Sequence, residues 1–103
     1  MKLEELMHIE NYLFGHLRKE YKLSRTDVYL IMICKKYNFE TYYDIKNNIN
    51  IDSSLISKRL TLLESRGYIK RENEKKKKII TLTDKTHIVF EILEKIKKME
   101  EKL

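Results

Sequence analysis

Apolar residues recur every three or four positions over most of the chain, the spacing of helices with one buried face. Leu6, Ile9, Leu13 and Leu17 predict a first helix from Lys2 to about Tyr21, which Lys22-Leu23-Ser24 interrupts. Ser24-Arg25-Thr26-Asp27 has the capping-box form, so a second helix starts there. It carries Val28, Leu30, Ile31, Ile33 and Cys34 and ends near Tyr37-Asn38; apolar on most sides, it belongs in the middle of the fold. Phe39-Glu40-Thr41 reads as a short extended segment. Thr41-Tyr42-Tyr43-Asp44 is a second capping-box sequence and opens a short third helix containing Ile45. Asn47-Asn48-Ile49-Asn50 is a turn. A fourth helix follows at once, capped by Asp52 or Ser53, with Ile56, Leu60 and Leu63 as its buried stripe and Gly67 where it must stop.

After Gly67 the period changes. Tyr68 to Arg71 and Lys77 to Leu82 suit strands, with β-branched residues at Ile69, Ile79, Ile80 and Thr81. Glu72-Asn73-Glu74 is turn-like, with Asn73 expected to take the left-handed conformation. From Asp84 to Leu103 the apolar residues Ile88, Ile92, Ile96, Met99 and Leu103 form one seam between Lys and Glu positions, with Thr83 as the cap. A helix of that length extends about 30 Å. It is expected to outrun a small core and to meet a second subunit. The alternative is that it folds back on its own chain.

The expected fold class is mainly α with a small β component (α+β): a winged helix-turn-helix with long N- and C-terminal dimerisation helices. The 103 residues form one domain, 1–103. Terminal helices 2–21 and 84–103 serve dimerisation, the helix-turn-helix occupies 41–66 and the wing 68–83. The homodimer contacts are expected at Leu6, Ile9, Leu13, Ile88, Ile92, Ile96, Met99 and Leu103.

Charge places the function. The net charge is +6, and residues 41–83 carry ten Lys/Arg against five Asp/Glu. The stretches on either side are close to neutral. Basicity confined to one half indicates a polyanion bound there. The fourth helix carries Ser53, Ser54, Ser57, Lys58 and Thr61 on the face away from its apolar stripe. Short hydrogen-bonding groups and one long cation near a helix N-terminus suit close approach to base edges and phosphates. The run Lys75-Lys76-Lys77-Lys78 can reach along a phosphate backbone or into a minor groove. Double-stranded DNA is therefore the expected partner. The candidate contacts are Thr41, Tyr42, Lys46, Ser53, Ser54, Ser57, Lys58, Arg59, Thr61, Arg66, Arg71, Lys75, Lys76, Lys77 and Lys78. Arg59 and Arg66 lie toward the flank and the C-terminal end, where phosphates are the expected partners.

With these elements in order, the chain resembles the MarR family of winged-helix transcription regulators, especially its small SarA-like members. The resemblance covers most of the chain and is best over Leu23–Ile33 and Asp52–Thr83. The pattern Asp52-x-Ser54-x-Ile56-Ser57-Lys58-x-Leu60-x-x-Leu63-Glu64-x-x-Gly67-Tyr68-Ile69 is similar to that family's recognition-helix signature. Ile80-Thr81-Leu82-Thr83 is similar to its second wing strand and the start of its dimer helix. The resemblance implies a symmetric dimer built from the terminal helices, recognition helices in two successive major grooves, and DNA contacts from Ser54, Ser57 and Lys58. The chain departs from the family in its wing, which offers Lys75 to Lys78 in place of an Asp-x-Arg element. Lysine is a mobile point charge, so general phosphate attraction is the expected role.

Other chemistry is weakly represented. Gly15 and Gly67 are the only glycines, and no phosphate-binding glycine loop, nucleophile elbow or paired-carboxylate pattern occurs. An enzyme is not expected, nor a cofactor. His8, His16 and His87 have no ligand spacing for a metal. Cys34, the single cysteine, lies among Ile31, Met32 and Ile33 and reads as buried rather than as a redox sensor. A single cysteine and the absence of a secretory signal or membrane-length apolar run fit a cytoplasmic protein. Nothing identifies a small-molecule effector. The leading expectation is a sequence-specific, homodimeric transcription regulator that represses by occlusion. The alternatives are a low-specificity architectural or plasmid/viral replication-control DNA-binding protein, and a winged-helix protein–protein assembly module.

Overall fold

Local capping fixes most of the element boundaries. The computed structural model describes residues 1–103. Helix α1 spans Leu3–Tyr21, α2 Arg25–Tyr37, α3 Tyr42–Asn48 and α4 Ser53–Ser65. Strands β1 (Ile69–Glu74) and β2 (Lys77–Leu82) follow, then a single 3₁₀ turn at Asp84–Thr86 and α5 at His87–Glu100. Both capping boxes form. The Asp27 amide donates to Ser24 Oγ at 3.1 Å and the Ser24 amide to Asp27 Oδ2 at 2.9 Å. Asp44 and Thr41 make the same exchange at 3.1 and 3.0 Å. Helix α4 ends in a Schellman arrangement: the Tyr68 amide donates to the Leu63 carbonyl, the Gly67 amide to that of Glu64, and Gly67 has φ of 81°.

The hairpin differs from the sequence expectation. The two strands pair antiparallel from Ile69↔Leu82 to Glu74↔Lys77, which leaves Lys75 and Lys76 as a two-residue loop. Asn73 pairs with Lys78 inside the ladder, so the turn is not at Glu72-Asn73-Glu74. Instead Lys75 and Lys76 take φ of 49° and 68°. Two-residue loops with positive φ match the twist of the flanking strands, and that geometry outweighs the local preference for Asn in the left-handed region. Each non-glycine residue held there costs about 1–2 kcal/mol. The segment before α3 meets the sheet through one bond, from the Ile80 amide to the Glu40 carbonyl at 2.6 Å, and forms no third strand.

The core draws on every helix and both strands. Leu17, Leu23, Leu30, Ile31, Ile45, Ile56, Leu60, Leu63 and Val89 are fully enclosed within it. The C-terminal helix overturns the expectation of a free seam. It starts only at His87, after the 3₁₀ turn, so its 14 residues extend about 21 Å. Thr83 does not cap it; its hydroxyl bonds the Gly67 and Tyr68 carbonyls. Ile92 and Ile96 are 3% and 7% exposed, and Leu6 is buried as well. Helix α1 is long enough to cover α5, and the two pack together. The Met1 amino group donates to the Lys102 carbonyl, so α1 begins beside the end of α5. Leu6, Ile92 and Ile96 are thus packed within their own chain and cannot form the dimer contact assigned to them. Ile9, Leu13, Ile88 and Met99 are half-buried. Leu103 stays exposed, as do Leu3 (61%) and Met7 (54%). No helix is long and apolar enough to cross a membrane.

Candidate nucleic-acid interface

Helix α4 has two distinct sides. Ile56, Leu60 and Leu63 are buried, while Ser54, Ser57, Lys58 and Thr61 are exposed at positions that share the opposite face. Ser57 and Lys58 have no side-chain partner within the protein. The Thr61 hydroxyl donates to the Ser57 carbonyl at 3.0 Å. Asp52 is the cap: its Oδ1 accepts from the Ser54 amide at 2.8 Å and from Ser54 Oγ at 2.7 Å. These two bonds, the hydroxyl first, hold the Asp52 carboxyl below the ordinary carboxylate range. A carboxylate therefore already sits at the start of α4, where a phosphate would otherwise be attracted.

The three arginines assigned to the interface each have a partner within the protein. Arg59 leaves the exposed face and grips the fully buried Asp27 carboxylate from below, Nε to Oδ1 and Nη2 to Oδ2, each at 2.7 Å. Those bonds hold its proton more tightly than in a free arginine. Arg66 Nη1 donates to the Lys22 carbonyl at 2.8 Å and so closes the end of α1. Arg71 reaches from β1 to Glu64 Oε1 on α4, at 2.9 Å from Nη2, and lies 3.4 Å from Thr61 Oγ1. Arg59 thus ties α4 to α2, Arg66 clasps the end of α1, and Arg71 braces the hairpin against α4. Tyr42 and Thr41 also have internal partners: the Tyr42 hydroxyl donates to the Ser53 carbonyl at 3.4 Å, and Thr41 caps α3.

On this face the free cations are lysines. Lys46, Lys58 and Lys75 to Lys78 are exposed, and none belongs to the three ion pairs of the molecule, Arg59–Asp27, Arg71–Glu64 and His87–Glu91. Lys70 on β1 is exposed as well. In the strand alternation Asn73 and Lys78 continue the side of the hairpin on which Arg71 meets α4. Ser54, Ser57, Lys58 and Thr61 thereby continue through Arg71 onto the wing. A cleft of about 620 Å³ separates the start of α3 from Lys76, Lys77 and Lys78.

Cys34 is buried, and burial pushes its thiol up to about 11, with the Asp44 charge adding to the effect. It is neutral and shielded at pH 7. Acid sensitivity comes from the carboxylates. The Glu40 amide bond is the largest influence holding Asp44 below its ordinary value, and the Arg71 guanidinium does the same for Glu64. Asp52 behaves likewise. A carboxyl depressed by folding contributes stability that is present above its unfolded value, about 4, and lost as pH falls through its folded value. The thermal midpoint, followed by circular dichroism, is expected to be flat from about pH 5 to 7 and to fall steadily below about pH 4. A midpoint that held constant to about pH 2.5 would contradict these assignments.

Asp27 was visible in the sequence only as a capping residue, and its partner lies 32 positions away, beyond any local pattern. Glu64, the Tyr68 hydroxyl on the Tyr21 carbonyl and Lys85 on the Arg66 carbonyl are further anchors that no spacing rule singles out. No model of a known protein family matches the chain, and no curated protein matches it by sequence.

Proposed function

We propose that the chain is a winged helix-turn-helix transcription regulator of the MarR-like kind, binding double-stranded DNA as a homodimer in the cytoplasm and repressing by occlusion. Its mechanism is binding, not chemistry. In this reading α3 and α4 are the helix-turn-helix, α4 is the recognition helix and the β1–β2 hairpin is the wing. The observation that carries it is the exposed face of α4, where Ser54, Ser57, Lys58 and Thr61 stand opposite a fully buried stripe and adjoin a hairpin with four unpaired lysines. Ser57 and Lys58 have free hydrogen-bonding groups, which reading base edges requires. Lys46, Lys58 and the wing lysines supply salt-dependent attraction to phosphates. In this reading the dimer contact is made by the exposed apolar residues Leu3, Met7 and Leu103.

Lys58 is the only long cation in the first exposed patch of α4, and a guanine edge offers it two acceptors. Lys58→Ala is expected to cost about 1–3 kcal/mol on a preferred site and to relax the preference at one position per half-site. The measurement is a competition of that site against its single-base variants at one salt concentration. An unchanged preference profile would confine Lys58 to the backbone. A second reading, low-specificity DNA binding, is favoured by the internal pairing of Arg59, Arg66 and Arg71, which leaves mobile lysines as the free cations. In that case Lys58→Ala weakens preferred and random DNA alike.

A further inference from the structure

The wing tip breaks the rule for its own turn. A two-residue loop with positive φ at both positions is the place for Asn-Gly, which adopts that backbone with little strain. Here it holds Lys75 and Lys76, two adjacent side chains in the left-handed region. Nothing inside the protein accounts for them, because both are exposed and neither has an ion-pair partner. Retained strain of this kind points to a role for the side chains.

The second observation lies behind the turn. The cleft of about 620 Å³ is walled on one side by Lys76, Lys77 and Lys78 and on the other by Thr41, Tyr42 and Tyr43. The bond from the Ile80 amide to the Glu40 carbonyl fixes one wall against the other. Glu40 and Asp44 also border it, but the Asp44 carboxylate is occupied by the Glu40 and Thr41 amides. Tyr43 is 66% exposed, yet its ring is held edge-on to Tyr42 at 5.4 Å between centroids. An exposed aromatic ring facing a row of cations is the combination that holds an unpaired nucleotide, with the base on the ring and the phosphodiester on the charges. Of the first-turn amides of α3, that of Asp44 is taken by Thr41 Oγ1.

We propose that the Lys75–Lys76 turn and the cleft behind it form a binding site for one unpaired nucleic-acid strand, with Lys76, Lys77 and Lys78 on the phosphodiester and Tyr43 stacked on a base. The site shares Lys78 with the surface that runs from α4 onto the wing and differs from it in Tyr43. It deepens the nucleic-acid reading above and rests on it.

The test uses the full chain and a short oligothymidylate, with a duplex measured in parallel and oligouridylate to tell a DNA from an RNA strand. Tyr43→Ala is expected to weaken the single-stranded probe about 5- to 150-fold, and Tyr43→Phe to bind as wild type, because stacking needs only the ring. Lys75→Asn with Lys76→Gly relieves the turn, so the thermal midpoint is expected to rise by about 5 °C. The same variant is expected to bind more weakly, with a log–log salt slope on oligothymidylate smaller by about 0.7 as the Lys76 contact is lost. Tyr43→Ala should leave the base preference on duplex DNA unchanged. The proposal is overturned if wild type binds duplex but not the oligomer, or if Tyr43→Ala and the turn variant bind the oligomer as wild type does. Failure of the wider reading looks different: wild type would then bind no duplex at all.

Discussion

Arg59→Ala is expected to destabilise the protein by about 3–5 kcal/mol, a large fraction of the roughly 5–15 kcal/mol that holds a typical domain together. The loss comes less from the missing guanidinium than from what it leaves behind. Asp27 is 0% exposed, and without Arg59 its charge has only the Ser24 amide to bond. The pair also sets the rotation of α4, since it ties the middle of that helix to the first turn of α2. Replacing both partners together should behave differently. Asp27→Leu with Arg59→Met removes the buried charges as a unit and is expected to come close to wild-type stability. Urea unfolding of the single and double variants gives the coupling directly. A folded Arg59→Ala within about 1 kcal/mol of wild type would show that the pair is not an anchor. A folded double variant with weakened DNA binding would return Arg59 to the interface.

Ile92→Glu combined with Ile96→Glu is expected to abolish the folded state. Both side chains lie in the core between α5 and α1, and two carboxylates there would have no partner. Leu3→Glu with Met7→Glu makes the same chemical change on exposed residues and is expected to give folded, monomeric protein. Circular dichroism and sedimentation read the two outcomes. A folded monomer from the Ile92/Ile96 variant would mean that the seam faces a second subunit after all. A folded dimer from the Leu3/Met7 variant would remove those two residues from the interface.

What was legible in the sequence was local. Ser24 and Asp27, Thr41 and Asp44, and Gly67 each set a helix end through bonds spanning a few residues, and each is where the pattern placed it. The stripe of Ile56, Leu60 and Leu63 gave the buried side of α4, and with it the exposed side. What was not legible depends on distant partners or on the geometry of a pair. An apolar seam on α5 shows that something covers it, but not whether that is α1 of the same chain or a second copy. Arg59 looked like a flank contact because no local rule connects it to a carboxylate 32 residues earlier. The turn was misplaced because Asn73 has the highest individual tendency to left-handed backbone, whereas strand register decides which two residues must adopt it. Tyr43 stands in the sequence only as part of a capping-box helix start; the cleft that makes it a candidate platform needs the wing folded beside it.

Selection of bound duplexes from a random-sequence pool tests sequence-specific, dimeric DNA binding most directly. Repeated rounds at moderate salt are expected to enrich one short motif in two inverted copies, centred about 10–10.5 base pairs apart, as twofold-related α4 helices in successive major grooves require. DNA that is captured but stays random in sequence through every round would contradict that claim.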